Sequence, residues 1–526
     1  MGRVLEKVNA WSERSGALWI ILGISAALKF ALALMNGDIN PDGDDYIFAA
    51  QQVIQGNLRE GMKIYPMPFY PFLIGVFHFL IPNWVWAARA VNVLSLIFAA
   101  IPLYLLTREL FGRGPAFWAG LAFALAPYPT EISVEVVRGP AFLLCFGWAV
   151  YFSVRAVRTK RKLFFLAGSV FALTAALFRV EGVLLPMLCP LFFLWLAVWR
   201  KGERGALLRG IAIWVVLPVL LSLAVYVGTG RVGVKATRMN EVNKKIHGIL
   251  DLRFLDNYHR IYDQLKDLEE EAVFPGGKQN LAEIARHAMP LLYLYGLSRS
   301  LAKVLFPLFL IPLVLGFRRP HDRGHGLVLF AGSVYFFMVY LTLVEQDYIQ
   351  DRFLLATAYL LYPWVGSGVS RLVNPLAGSR ARRIIGTGVA ALLVFSPLVK
   401  TTELFTEQED VMRRAGWWIA TEPSLRELKM MSTDSRIPFY AGRGGRYVDY
   451  DEQPNGEEAM ERLALRKNVG LIVLESPGGE EGRDPSFSRF EKRMAFPGKK
   501  ERVVVYVLKG RPAPKKGSAG ASKPPL

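Results

Sequence analysis

The chain has 526 residues, 52% of them hydrophobic, and a formal net charge of +19. Its two cysteines exclude a disulfide framework and a cysteine zinc cluster. Its six histidines show no metal spacing, and no Walker loop, GxSxG elbow or HExxH motif occurs, so neither nucleotide-loop nor serine-nucleophile chemistry has support.

Read from the amino end, "MGRVLEKVNAWSERSG" precedes an apolar run with no small-residue cleavage site, the pattern of a retained signal-anchor. Apolar runs long enough for a bilayer core of ~30 Å then recur. They predict eleven spans, at about 17–35, 84–107, 115–130, 138–154, 163–178, 182–199, 210–229, 299–316, 326–344, 353–370 and 384–400. Cys145 and Cys189 both fall inside them.

The basic excess is not uniform. The connections 1–16, 108–114, 155–162, 200–209, 317–325 and 371–383 hold 21 Lys and Arg against 5 Asp and Glu, which is +16 of the total +19. The alternate connections 36–68, 128–138, 179–181 and 345–352 are acid-rich. That alternation is the positive-inside pattern and puts the amino terminus in the cytoplasm. A nucleic-acid face would not alternate in this way, so nucleic acid is not an expected partner.

Between the first two long runs lies an outer loop, 36–83. "PDGDDYIFAAQQVIQGN" has the grammar of a helix start, with acids favoured at its positive end. "YPMPFYPFLIGVFHFLIP" is too short to span comfortably and reads as a second helix in the interface, anchored by Tyr65, Phe69 and Tyr70. His78 on it is a packing or interfacial residue rather than a ligand. A second outer loop covers 230–298 and includes the surface helix "DNYHRIYDQLKDLEEEA". After Lys400 the hydropathy falls. Residues 401–512 predict a soluble outer α/β domain, with strands at 470–475 and 502–510 and an amphipathic helix at 455–468. The tail 513–526 is rich in Pro, Gly, Ser and Lys and reads as disordered.

The ionisable residues that collect at the outer face are Asp42, Asp44, Asp45, Glu131, Glu135, Arg138, Arg179, Glu181, Arg299, Lys303, Asp347, Asp351 and Arg352. Most suit polar loops and snorkelling side chains. Arg179 and Glu181 do not, because "LFRVEGVLL" is so short a connection that both lie at or below the interface, where charge must be paired or used. Lys29, well inside the first span, raises the same question.

These stretches resemble the bacterial GT-C glycosyltransferases related to protein O-mannosyltransferases and the aminoarabinose transferases of lipid A. "PDGDDYIFAAQQVIQGN" with "IYPMPFYPFLIGVF" is similar to their first outer loop, where a "PDxxxY" or "DGxxY" start precedes "YPPLYPLLL". Residues 87–129 are similar to their second and third spans, "LFRVEGVLLP" to "RPEGLLLLP", and "QDRFLLATAYLLYP" to "RYLLPLLPLL". "RIPFYAGR" is similar to part of their periplasmic domain. Two departures stand out. Gly139 occupies the place of an acid in "TEPLF", leaving Glu131 or Glu135 to supply it, and Arg352-Phe353 replaces "RY".

The resemblance implies a polytopic α-helical membrane protein with a carboxy-terminal soluble α/β domain. The implied reaction takes a sugar from a polyprenyl phosphate, with inversion, to a lipid, glycan or protein acceptor at the outer face of the inner membrane. No cofactor and no metal is implied. Aligned on "DGxxY", Asp42 is the base, followed by Asp45 and Asp44. Glu135 is the further catalytic candidate. Arg352 is the cation for the phosphate, followed by Arg179 and Lys303. Tyr46, Glu131, Arg138 and Glu181 are further site candidates. An oligosaccharide ligase or polymerase with a lipid-linked donor is the alternative reading. A secondary transporter or flippase is the more distant one, since internal repeats and broken mid-membrane helices are not visible in the sequence.

The charge alternation makes a direct prediction. A reporter enzyme fused after Lys400 is expected to be active only outside the cytoplasm, and cytoplasmic activity would invert the topology.

Overall fold

The computed structural model describes residues 16–35, 37–229, 247–248, 251–271, 281–317, 322–373, 380–407, 409–443, 447–449, 457–477, 485–499 and 501–510. The amino-terminal stretch before Gly16 and the tail 513–526 lie outside them. By its contacts the chain divides into two compact units.

The first unit comprises Met1–Phe30, Asn92–Val134 and Arg138–Glu403. Long apolar helices dominate it. Counted over the whole chain, seven described helices have the length and composition to cross a membrane, or eight if one bent pair is a single span. The chain is thus a multi-pass helical membrane protein. Arg113–Leu125 and Lys162–Phe178 stand where spans are expected but are shorter, at 13 and 17 residues.

The expected span at 299–316 is broken. Its helix runs Leu281–Leu305, a new turn starts at Pro307, and the two halves meet at 95°. The cause is local. Proline has no N–H to continue the helix and bars its predecessor from the helical region. Phe306 leaves the helical region at φ 83° and ψ 122°.

The second half, Leu310–Gly316, packs backbone to backbone on the helix Leu355–Val373. A Cβ on Gly316 would lie 2.0 Å from the Trp364 carbonyl oxygen, and one on Gly368 would lie 1.7 Å from that of Pro312. Small residues bring helices this close where no hydrophobic drive from water assists them.

Lys29 finds its explanation here. It is fully buried, and its Nζ donates to the carbonyl of Ala124 at 3.5 Å. Thr401 donates to the next carbonyl, Leu125, at 3.4 Å. Both close the carboxyl end of Arg113–Leu125, where Pro127 supplies no amide and the last carbonyls lack intrahelical partners.

At one end of the helices, ion pairs join four of the six basic connections. Glu109 takes Arg155 at 3.0 Å and Arg158 at 3.5 Å, and Arg158 also meets Asp322. Glu203 takes Lys160 at 2.9 Å and Arg323 at 2.5 Å. The stretches 108–114, 155–162, 200–209 and 317–325 therefore share one end.

The second unit comprises Ala31–Val91, Glu135–Val137 and Leu404–Leu526. Its sheet contains β1 (Met430–Ser432), β2 (Tyr447–Asp449), β3 (Leu471–Pro477), β4 (Phe490–Phe496) and β5 (Glu501–Leu508), in the order β2-β1-β3-β5-β4. β1 is parallel to β2 and β3, with Met430 opposite Tyr447 and Leu471, while β5 is antiparallel to β3 and β4. Ile472, Leu474, Val504 and Tyr506 pack with Ala464 of the helix Glu457–Arg466.

Within this unit the first loop forms three helices, Gly43–Ile54, Leu58–Ile64 and Phe69–His78, one more than expected. Tyr70 is not an interface anchor, because its phase on the helix points it inward with Ile74. Phe72, Val76, Phe79 and Leu80 are the exposed apolar residues instead. His78 lies flat on Trp84, with ring centroids 3.6 Å apart.

The tight helix crossing yields a stability prediction. Gly368→Ala forces Leu310–Gly316 away and is expected to cost at least ~1–3 kcal/mol, read as a lowered melting temperature of the detergent-solubilised protein. An unchanged melting temperature would contradict this packing.

Candidate active site

The acid turn belongs to the second unit. Pro41 and Asp42 form a turn, and the helix Gly43–Ile54 begins immediately after it. Its three carboxylates meet different surroundings. Asp42 is exposed at the N-cap position, and its side chain makes no capping bond. Asp45 is exposed too. Asp44 is buried, with 2% of its surface accessible. It accepts the N–H of Asp45 at 2.9 Å and a hydrogen bond from the Ser435 hydroxyl. Burial pushes its pKa up to about 7. The Ser435 bond opposes that shift, and the neighbouring charges of Asp45 and Asp434 add to it.

Tyr46 is buried, and its ring meets Tyr65 and Tyr70 edge-on at 4.6 and 5.0 Å. Glu135 is half-buried, and the next amide, Val136, donates to Asn40 Oδ1 at 2.6 Å.

Several residues around this turn escape sequence reasoning. The Asp38 carboxylate accepts the backbone amides of Met412 at 2.9 Å and Arg413 at 3.0 Å, and the Asp38 amide donates to the Glu409 carbonyl at 2.7 Å. Burial raises its pKa to about 6, against those two amides and the charges of Arg436 and Arg413. Arg89 is buried and donates to the carbonyls of Gly37 at 2.5 Å and Asp38 at 3.4 Å. The Ile39 amide donates to the Tyr440 hydroxyl at 2.9 Å. Arg436 holds Asp434 through Nε at 2.9 and 3.0 Å and Nη2 at 2.7 Å, with Glu501 at 3.5 Å and Glu475 at 4.0 Å. Glu475 is pushed up to about 7, first by burial and then by Asp434 and Glu501. Asp38 lies in the acid-rich loop 36–83, Arg436 and Tyr440 in "RIPFYAGR" and Glu475 in an expected strand, but nothing local in these stretches singles them out, and Arg89 is a lone arginine in an apolar run.

The remaining candidates belong to the first unit, at the helix ends remote from the basic connections. Arg179 is buried and paired in parallel with Glu181, Nε to Oε2 at 3.2 Å and Nη2 to Oε1 at 3.0 Å. Its guanidinium lies 5.8 Å from the ring centre of Phe142 and 5.4 Å from that of Phe353. Tyr335 donates to the Glu181 carbonyl at 2.8 Å, and Arg138 acts on the Glu181 charge. Lys303 is exposed and pairs with Asp351 at 2.5 Å; Asp351 also takes the hydroxyl of Ser300. Glu131 and Arg299 act on Lys303. The turn Asp351–Leu354 thus carries one partner of each cluster, Asp351 for Lys303 and Phe353 for Arg179, with Arg352 between them. Among the described residues no three His, Cys, Asp or Glu side chains converge as metal ligands would.

Comparison with known proteins agrees with this architecture. Residues 65–224 match the family described as dolichyl-phosphate-mannose-protein mannosyltransferase. ArnT from Cupriavidus metallidurans in the apo state superposes with a TM-score of 0.53 at 14% identity, over 93% of this chain and 98% of that one. The same protein bound to undecaprenyl phosphate gives 0.52 at 14% identity, over 94% and 98%. The archaeal oligosaccharyltransferase AglB from Archaeoglobus fulgidus, in complex with an inhibitory peptide and a dolichol-phosphate, gives 0.50 at 12% identity, over 87% and 69%. No curated protein sequence matches the chain. The chain thus has the GT-C fold of these membrane proteins.

The buried Asp44 makes stability depend on pH with a definite sign. Its folded pKa exceeds the unfolded value of 3.8, so the folded state holds the proton more tightly. Its stabilising contribution is full below the unfolded value and declines until the pH passes about 7. Asp44→Asn keeps the shape of the neutral form. Its melting temperature relative to wild type is expected to rise between about pH 5 and pH 8, and a constant difference would refute the assignment.

Proposed function

We propose that the protein is an inverting glycosyltransferase. It moves a sugar from a polyprenyl phosphate to a lipid, glycan or protein acceptor at the outer face of the cytoplasmic membrane, with its carboxy-terminal region on that side. The fold class and the matched family support the donor chemistry, since a lipid-phosphate donor requires no nucleotide-binding loop.

The acceptor hydroxyl or amine attacks the anomeric carbon. The new bond to that carbon forms as its bond to the phosphate oxygen breaks. The acceptor proton passes to a carboxylate, and the electron pair of the broken bond leaves with the polyprenyl phosphate. Asp42 is the carboxylate assigned to this step. The observation that carries the assignment is the division within the acid turn: Asp44 is buried against Ser435, while Asp42 is exposed at the helix start. Asp45 is the second candidate and Glu135 the third.

The departing phosphate needs positive charge. Arg352 is assigned to it because its turn bridges the Arg179–Glu181 and Lys303–Asp351 pairs. Guanidinium groups suit phosphate through paired donors. Arg179 and Lys303 contribute to the field from their ion pairs, and Glu131, Arg138 and Glu181 shape it.

Asp42→Asn preserves shape and removes the proton acceptor, so kcat is expected to fall by at least ~100-fold in an assay of undecaprenyl phosphate released from labelled lipid-linked sugars. Arg352→Ala is expected to cut donor use strongly in the same assay. Normal turnover by Asp42→Asn alongside an inactive Asp45→Asn would move the base to Asp45. Normal turnover by all the acid-turn variants would end the mechanism.

A further inference from the structure

We propose that the carboxy-terminal region positions the acid turn, with Asp38 and Asp44 as the two side chains by which Met412, Arg413 and Ser435 hold it. The inference rests on the reading of Asp42 as the base, and all the residues concerned lie within one compact unit.

Asp42 stands between the two anchors in the chain. On the amino-terminal side, Asp38 acts as a cap supplied from elsewhere in the chain for the helix Val411–Thr421, taking the amides of Met412 and Arg413. Asp410, the residue at the N-cap position of that helix, makes no side-chain capping bond, so Asp38 meets the need that a helix start creates. The return bond from the Asp38 amide to Glu409 makes the contact reciprocal. Arg89 secures Gly37 and Asp38 through their carbonyls, and Tyr440 takes the Ile39 amide. On the carboxy-terminal side, Asp44 meets Ser435, and Phe48 packs edge-on against Phe439 at 5.4 Å.

Ser435 stands just beyond the sheet, at the N-cap position of the short helix Arg436–Tyr440. It follows Ser432, the last residue of β1, by three residues, at the carboxyl edge of the parallel strands. Open α/β sheets bind ligands at that edge. Here the edge receives a side chain of the first loop. Asp434, beside Ser435, is itself fixed by Arg436, which faces Glu475 and Glu501. The groups facing Asp44 are therefore Asp45 from its own helix, and Ser435 and Asp434 from the turn after β1.

A carboxylate held at both flanks loses little freedom on reaching a reactive geometry, and a small misplacement of such a group is costly to rate. The test uses the full-length protein in detergent, with amide hydrogen exchange and with turnover of undecaprenyl-phosphate-linked sugars. Ser435→Ala and Asp38→Asn are expected to speed exchange of amides 37–47. Both are expected to lower kcat by roughly 10- to 100-fold with the donor KM unchanged. Ser435→Thr, which keeps the hydroxyl, is expected to restore both readouts. Unchanged exchange in Ser435→Ala would overturn the proposal, as would faster exchange with unchanged kcat. A wild-type protein inactive on every lipid-linked sugar would sink the transferase reading instead, and exchange alone would then decide whether the carboxy-terminal region holds the turn.

Discussion

The cost of taking charge out of water governs this chain more than any other interaction. A polytopic membrane protein has little to gain from burying apolar groups against one another in lipid, and a great deal to lose from an unmatched ion. Arg179 is matched by Glu181 in parallel hydrogen bonds and lies against two aromatic rings. Arg89 and Lys29, both almost wholly buried, donate to backbone carbonyls. At the other helix ends, Glu109 and Glu203 tie basic connections together that would otherwise repel. Apart from the local Arg179–Glu181 pair, these contacts join segments distant in sequence, so charge neutralisation also helps to select which segments are neighbours.

The same constraint separates the three carboxylates of the acid turn. Three like charges in one helical turn oppose each other, and burial of one of them favours its neutral form. Asp44 occupies the buried place, where a protonated acid and a serine hydroxyl have complementary donors and acceptors. Burial raises the Asp44 pKa to about 7, while Asp42 and Asp45 take the exposed positions of the turn. Neutralising the buried carboxyl removes one of three mutually repelling charges from the turn.

Much of this architecture was legible in the sequence because periodicity and charge are local properties. The apolar runs located the helices, the alternating basic connections grouped segments that meet in space, and β3, β5 and the helix Glu457–Arg466 were visible as patterns. The break before Pro307 was not, since an unbroken apolar run masked a proline that carries the signal for it. β1 and β2 have three residues each, too few for alternation to register. The roles of Asp38 and Arg89 were hidden for a different reason. Asp38 reaches Met412 across 374 positions, and no local rule distinguishes such an acid from an ordinary loop residue. The unlike fates of Asp42 and Asp44 likewise depend on Ser435, which no reading of the turn alone could bring to it.

Gly139 shows how a departure from a resembled pattern is absorbed. The pattern has an acid there, and Glu131 and Glu135 were the expected substitutes. A Cβ on Gly139 would come to 3.8 Å from Arg179 Nη1, so an acid at that position would meet this guanidinium. Glu181 already fills that electrostatic role, from a turn only two residues beyond Arg179 and with its own backbone fixed by Tyr335. Two carboxylates on one buried guanidinium would leave net negative charge near the membrane, which is costly there. Glycine at 139 and glutamate at 181 are thus a compatible pair. Glu131 lies with Lys303 instead, and Glu135 belongs with the acid turn in the other unit.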